Sequence, residues 1–423
     1  MFERLNRHPL PVVFFTVFID LLGFGILIPI IPLLLANPHS VFFLLPSNLT
    51  IKQGYIILGF LVAIFPFMQF LATPILGQLS DRYGRKKLLA FSLAGTSLSY
   101  VIFAIGIITK NLPLLFIARA FDGITGGNIA VAQAAIADIT DPAHRAKNFG
   151  MIGAAFGLGF IVGPYLGGKL SDPSIVSWFS ASTPFWFAAA LAALNTLSVL
   201  TVFPETLKNL KHDMKIQWGK SIHNIVEAYS MPRLRVLFIT VFLFFGGFTF
   251  FTTFFSVFLI NKFSFSQSNI GDFFSYVGIW MALAQIVLVR KLAKVFAEYQ
   301  VLRISLVGVS LFLLCFFLPN AWWQLLLVVP FFAACIGLTT ANSIALVSKS
   351  ADATIQGEVL GINASVQALA QAIPAALSGF IAAGLKPEAP IFVASAIVYF
   401  AWLFFVIFYK PGHVAHQEVP AAV

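Results

Sequence analysis

The sequence predicts an all-α integral membrane protein, with twelve transmembrane helices in two pseudo-symmetric six-helix bundles. Three observations carry that prediction. The chain of 423 residues is 59% hydrophobic and only 10% charged, with a mean hydropathy of +0.92. That is too little charge to cover a soluble protein of this length. The apolar residues come in runs of about 20 without period-2 alternation, which suits membrane helices and not a barrel. The chain also repeats itself. Residues 79–98 align without a gap on 292–311, setting Ser92 on Ser305 and Gly95 on Gly308, and Gly150 and Gly168 fall on Gly361 and Gly379.

The first run, 10–35, is too long for a signal-peptide core, contains Asp20 and has no small-residue cleavage site after it. It is read as a retained span. Further spans are predicted at 55–79, 88–108, 112–137, 148–170, 184–203, 234–260, 270–290, 301–319, 322–347, 358–384 and 389–409. An even number places both termini on one side. Of the 26 Lys and Arg, five (Lys52, Lys110, Lys169, Lys262, Lys386) fall on one face, Arg119 lies inside a span, and the rest share the other face with the termini. The positive-inside rule puts that richer face in the cytoplasm. The same rule accounts for the net charge of +10 without nucleic acid.

Segment 204–233 divides the spans six and six, giving an N-terminal bundle 1–203, a cytoplasmic linker, and a C-terminal bundle 234–423 with a short tail. In the linker, Trp218, Ile222, Ile225, Val226 and Tyr229 recur at helical spacing beside Lys215, Lys220 and His223. That pattern predicts an amphipathic helix lying on the membrane surface. Cys315 and Cys335 both fall in apolar runs without metal-ligand spacing and read as small buried hydrophobes.

Three charges sit inside spans: Asp20 in the first, Arg119 and Asp122 in the fourth. Each costs at least ~2.5–3.5 kcal/mol on insertion scales, so each should face a partner or a wet cavity. Arg119 and Asp122 are three apart on one helical face, in a stripe continued by Gly126, Ala130 and Gln133. Asp20 has no partner in its own helix and needs one from another span. Low dielectric favours a protonated carboxyl and a nearby guanidinium favours the ionised form, an opposition that suits a proton switch. The C-terminal spans hold no deep acid or histidine. Their polar groups are amides: Asn363, Gln367 and Gln371 at i, i+4 and i+8, with Asn342 and Gln285 elsewhere. With Gln69 and Gln133, these are the candidate lining of a substrate cavity, or alternatively interhelical glue.

The stretch 77–89, GQLSDRYGRKKLL, packs Asp81, Arg82, Arg85, Lys86 and Lys87 between two spans, with Gly77 and Gly84 framing a tight reversal. Asp138 and Arg145, where the fourth span gives way to the fifth, should join it in a charge network. In the fifth span Gly153, Gly157, Gly163, Pro164 and Gly167 permit close packing and bending.

The pattern G-x-L-x-D-R-x-G-R-K-K after a second span resembles the loop 2–3 signature of the major facilitator superfamily. FIDLLGFGILIPIIP, with Asp20 at its acidic position, resembles the first-span signature, and Arg119 with its Gly-rich sequel resembles the fourth. Gly153 with Gly163-Pro164 and Gly167-Gly168 resembles the antiporter motif of the fifth. With Gln69-Phe70, Asp138, Asp141 and Arg145, the N-terminal half looks most like the tetracycline-resistance type of drug:proton antiporter. The C-terminal half matches only in outline.

The resemblance implies the major facilitator fold and proton-coupled antiport, exporting small amphipathic molecules or drugs by alternating access. The alternative is a proton-coupled importer or facilitator of a small metabolite. It further implies proton coupling through Asp20, Arg119 and Asp122, and a cytoplasmic latch of Gly77, Asp81, Arg82, Gly84, Arg85, Asp138 and Arg145 that grips the start of the eleventh span. The expected partners are a small-molecule substrate, protons and the lipid bilayer, for a monomer in a bacterial inner membrane, with no cofactor or nucleic acid. No catalytic motif, metal set or Walker loop occurs.

Overall fold

A computed structural model describes residues 10–140, 145–210, 215–351 and 355–411, without the side chains of residues 145–150, 156, 233, 356 and 357. Among the described residues, twelve helices are long and apolar enough to cross a membrane. The first half supplies Leu10–Leu35, Ile51–Tyr83, Arg85–Ile108, Leu112–Ile139, Arg145–Leu170 and Thr183–Thr201. The second supplies Pro232–Phe263, Gln267–Leu292, Glu298–Cys315, Trp322–Lys349, Gln356–Gly384 and Ala389–Phe408. A short helix, Lys220–Ser230, lies between the sixth and seventh. The end of the bundle that carries it is called the linker end below.

The sequence placed every span. Three local features differ from expectation. Residues 77–83 are no loop: they are the last turns of the second span, and the third begins at Arg85. The reversal rests on Gly84 alone, whose φ of 102° and ψ of 148° suit only glycine. Gly77 is helical and faces open space. The fourth span is two helices, Leu112–Thr125 and Asn128–Ile139. The eighth widens into a π-helix at Ala284–Leu288, with Ala284 and Gln285 against Gly337 of the tenth; a π-bulge of this kind often marks a functional site.

The halves meet at the end opposite the linker. There a Cβ on Gly59 would lie 2.7 Å from Ala375 O, and one on Gly379 2.6 Å from Tyr55 O, so the second and eleventh spans touch backbone to backbone. Gly168 and Gly271 do the same for the fifth and eighth. Ser275 Oγ donates to Ile161 O at 2.8 Å, Ser256 Oγ to Ile28 O at 3.3 Å, and Lys169 Nζ reaches Asp272 Oδ2 at 2.8 Å. Toward the linker end, a Cβ on Gly153 or Gly361 would meet nothing within 4 Å, and one on Gly157 only Ala282. The interior therefore opens toward the linker end.

The remaining glycines of the fifth span do pack closely, against the first. Gly159 lies on Leu21, Gly163 on Gly25 and Gly167 on Ile26, while Pro164 sits inside an unbroken helix.

Candidate functional site

Two of the three deep charges, Arg119 and Asp122, sit on the broken fourth span. Asn111 caps its first half by accepting the Leu114 N–H at 3.1 Å. The i, i+3 spacing then brings Arg119 Nη1 to Asp122 Oδ2 at 2.7 Å, with both side chains 5–6% exposed. The Arg119 guanidinium also covers the Phe65 ring, 4.3 Å from its centroid.

At Gly126 and Gly127 the helix stops and restarts, so the predicted stripe of Arg119, Asp122, Gly126, Ala130 and Gln133 is not one continuous face. Gln69 Nε2 donates to Gly126 O at 2.9 Å, taking up a carbonyl at the interruption. Glycine is required here by proximity. A Cβ on Gly127 would lie 2.7 Å from Leu76 Cδ1 and 3.0 Å from Thr73 Cα.

Asn128, the first residue of the second half-helix, is fully buried with its amide beside the Asp20 carboxyl. Both carboxylate oxygens of Asp20 are buried, and Arg119 Nε is buried without a partner. Asn128 and Asp122 are the polar groups that act on the Asp20 carboxyl. Tyr100 joins them, its hydroxyl against Gly23 of the first span, and Ser99 lies beside Asp122. Buried polar atoms are normally paired. The cluster gathers two carboxyls, a guanidinium, an amide and a phenol around a helix broken in mid-span.

Arg119 also borders a small cavity of about 50 Å³ between the first and seventh spans. Phe24, Leu27 and Ile31 give it apolar walls, and Thr252 and Thr253 give it hydroxyls. Ser99, Tyr100 and Asp122 pack around Arg119 without leaving room for a water molecule.

None of the seven amides expected from the sequence lines the cavity. Gln69 is engaged at the helix break. Asn342 Nδ2 donates to Leu338 O of its own helix at 2.7 Å. Asn363 is buried with Oδ1 unpaired. Gln285 lies in the π-helix, Gln367 and Gln371 are half-buried on the eleventh span, and Gln133 is exposed.

At the linker end, Arg85 joins Asp81 at 2.6 Å to Asp138 at 3.1 Å, and also donates to Ser80 Oγ. Arg82 stacks over Tyr83 at 5.4 Å. Asp141 and the Arg145 side chain lie outside the described residues. Sequence reasoning missed Glu205, just past the sixth span. Its carboxylate accepts the backbone N–H groups of Arg85 at 2.9 Å and Lys86 at 3.2 Å, capping the third span at its positive end. It also missed the C-terminal counterpart. By the internal alignment Arg85 faces Glu298 and Asp138 faces Lys349, and Glu298 and Lys349 form an ion pair. The C-terminal repeat thus keeps an ion pair at the matching positions with its signs exchanged.

Twelve spans, two repeated halves and a cluster of charges buried within the spans define a membrane transport protein. The chain belongs to the Major Facilitator Superfamily, whose family model matches residues 13–373 and 237–422. It is 31% identical to the class C tetracycline resistance protein of Escherichia coli over 365 residues, 86% of this chain and 87% of that one. It is 28% identical to multidrug resistance protein 2 of Bacillus subtilis, over 86% of each chain. Among solved structures it is similar to the human organic anion transporter MFSD10 (TM-score 0.71, 22% identity, covering 95% of this chain and 99% of that one). It is also similar to a D-xylose–proton symporter (TM-score 0.73, 18% identity, 95% and 98%). The two structures share the fold with this chain.

Proposed function

We propose that the protein is a proton-coupled antiporter that exports small amphipathic molecules by alternating access, acting as a monomer in a bacterial inner membrane with both termini in the cytoplasm. The observation that carries this reading is the buried cluster at the broken fourth span. Asp20 and Asp122 are the acids placed to take up a proton, and Arg119 sets their affinity while bordering the cavity. The names of the relatives, tetracycline and multidrug resistance proteins, support export of drug-like molecules.

In this reading the far-end contacts close the exit side, and the structure is the inward-facing state. The Arg85 network is the N-terminal part of a latch that engages the start of the eleventh span when the linker end closes. Glycines of the fifth span with Pro164 accommodate the bending that closure requires, and the half-buried amides of the eleventh span form the second wall of the cavity.

The test is dye accumulation in inside-out membrane vesicles. An acid-inside gradient should drive uptake of an amphipathic dye, and a protonophore should abolish it. Gradient-driven loss of preloaded dye would instead indicate import.

A further inference from the structure

The linker helix does not lie flat beneath the bundle. Ser221 Oγ donates to Leu71 O of the second span at 3.1 Å, and Asn224 Nδ2 to Ser365 Oγ of the eleventh at 3.0 Å. Lys220 Nζ lies 3.4 Å from Glu358 Oε1 at the start of the eleventh span. Gln78 holds the approach, accepting the Gln217 N–H at 2.8 Å. Leu71 lies about 18 Å inside the linker-end terminus of its helix, at 1.5 Å per residue from Tyr83. The short helix is thus lodged between the two spans at depth.

Its faces fit that position. Ser221, Asn224 and Ala228 are buried against protein. Trp218, Ile222, Val226 and Tyr229 form one stripe that is 59–73% exposed. Lys220, His223 and Glu227 make a third, charged face with their own ion pairs. Phe67 on the second span and Ile373 and Leu377 on the eleventh are exposed apolar residues as well. An exposed apolar stripe on a membrane protein is covered by lipid.

We propose that the linker helix is an intramembrane wedge. Its apolar stripe faces acyl chains, its small polar face holds the second and eleventh spans apart, and it keeps the linker-end mouth open. Closing that mouth requires the helix to leave the cleft, a consequence that rests on the alternating-access reading above.

The test uses the full chain in phospholipid vesicles, with Cys315→Ala and Cys335→Ala as background. Nitroxide labels are placed singly through Ile222→Cys and His223→Cys. The label at 222 should be accessible to oxygen and shielded from a water-soluble nickel chelate, and the label at 223 the reverse. Nickel access at 222, or spin–spin broadening there from a second copy, overturns the lipid-facing assignment. Independently, the distance between labels at Gly153→Cys and Gly361→Cys reports the linker-end mouth. Ser221→Ala with Asn224→Ala should enrich the short-distance population by about twofold or more. An unchanged distribution overturns the wedge. Neither readout needs transport, so the wedge and the antiporter reading stand or fall separately.

Discussion

At the scale of single residues, the side chains with most at stake are those whose partners are few and buried. Arg119 and Asp122 are each 4% exposed and bonded to one another. Removing one partner of such a pair strands the other charge, at about 3–5 kcal/mol. Arg119→Gln should therefore destabilise the protein strongly in a thermal melt in detergent, and Arg119→Gln with Asp122→Asn should recover most of the loss. Equal loss in the single and double variants would mean that Phe65 stacking, not the ion pair, holds the arginine.

Gly84 is a second such residue. Alanine would be forced into a glycine-only backbone region at a cost of order 1–3 kcal/mol, and its Cβ would press on the Glu205 carboxylate. Gly84→Ala should lower the melting temperature, whereas Gly77→Ala, in open helical space, should leave it unchanged or raise it.

At the scale of elements, the spans were legible because twenty apolar residues in a row admit few structures, and the Arg119–Asp122 pair was legible because helical spacing dictates it. The break beyond them, at Gly126-Gly127, was not. A hydropathy window averages over Gly126-Gly127, and Asn128 reads as an ordinary polar residue until Asp20 of the first span is laid against it. The usable signal was the run Gly-Gly-Asn in mid-span, with a glutamine, Gln69, on a neighbouring span. The expected wall of amides could not be tested for aim, since sequence gives the helical face but not the side that faces the cavity. Glu205 was missed because its partners are backbone N–H groups, which leave no trace in composition.

The broken element yields its own prediction. Gln69→Leu leaves the Gly126 carbonyl without its bond, a loss of about 1–3 kcal/mol. Amide exchange around residues 126–130 should quicken. Unchanged exchange would show that the break needs no support from the second span.

At the scale of the whole molecule, the contacts at the end opposite the linker hold the two halves together there, and alternating access as proposed requires them to part. The far-end bridge of Lys169 to Asp272 and Ser268 joins the two halves across the closed side. With side chains 27% and 48% exposed, such a pair is worth up to about 1 kcal/mol, roughly a fivefold shift in population. Lys169→Met should raise far-end accessibility to a membrane-impermeant thiol reagent at an introduced cysteine by that order. The repeat gives a companion test at the linker end. Glu298→Lys should disturb the transport cycle, and Glu298→Lys with Lys349→Glu should restore it, because the ion pair survives with either sign.

In the proposed cycle the proton is carried by Asp20 or Asp122. In proteoliposomes, gradient-driven accumulation and substrate exchange without a gradient can be measured side by side for Asp20→Asn and Asp122→Asn. If these carboxylates couple proton to substrate, at least one variant loses driven accumulation while keeping exchange. If both variants still concentrate substrate against its gradient, the proton travels by another route and the assignment to this cluster is wrong.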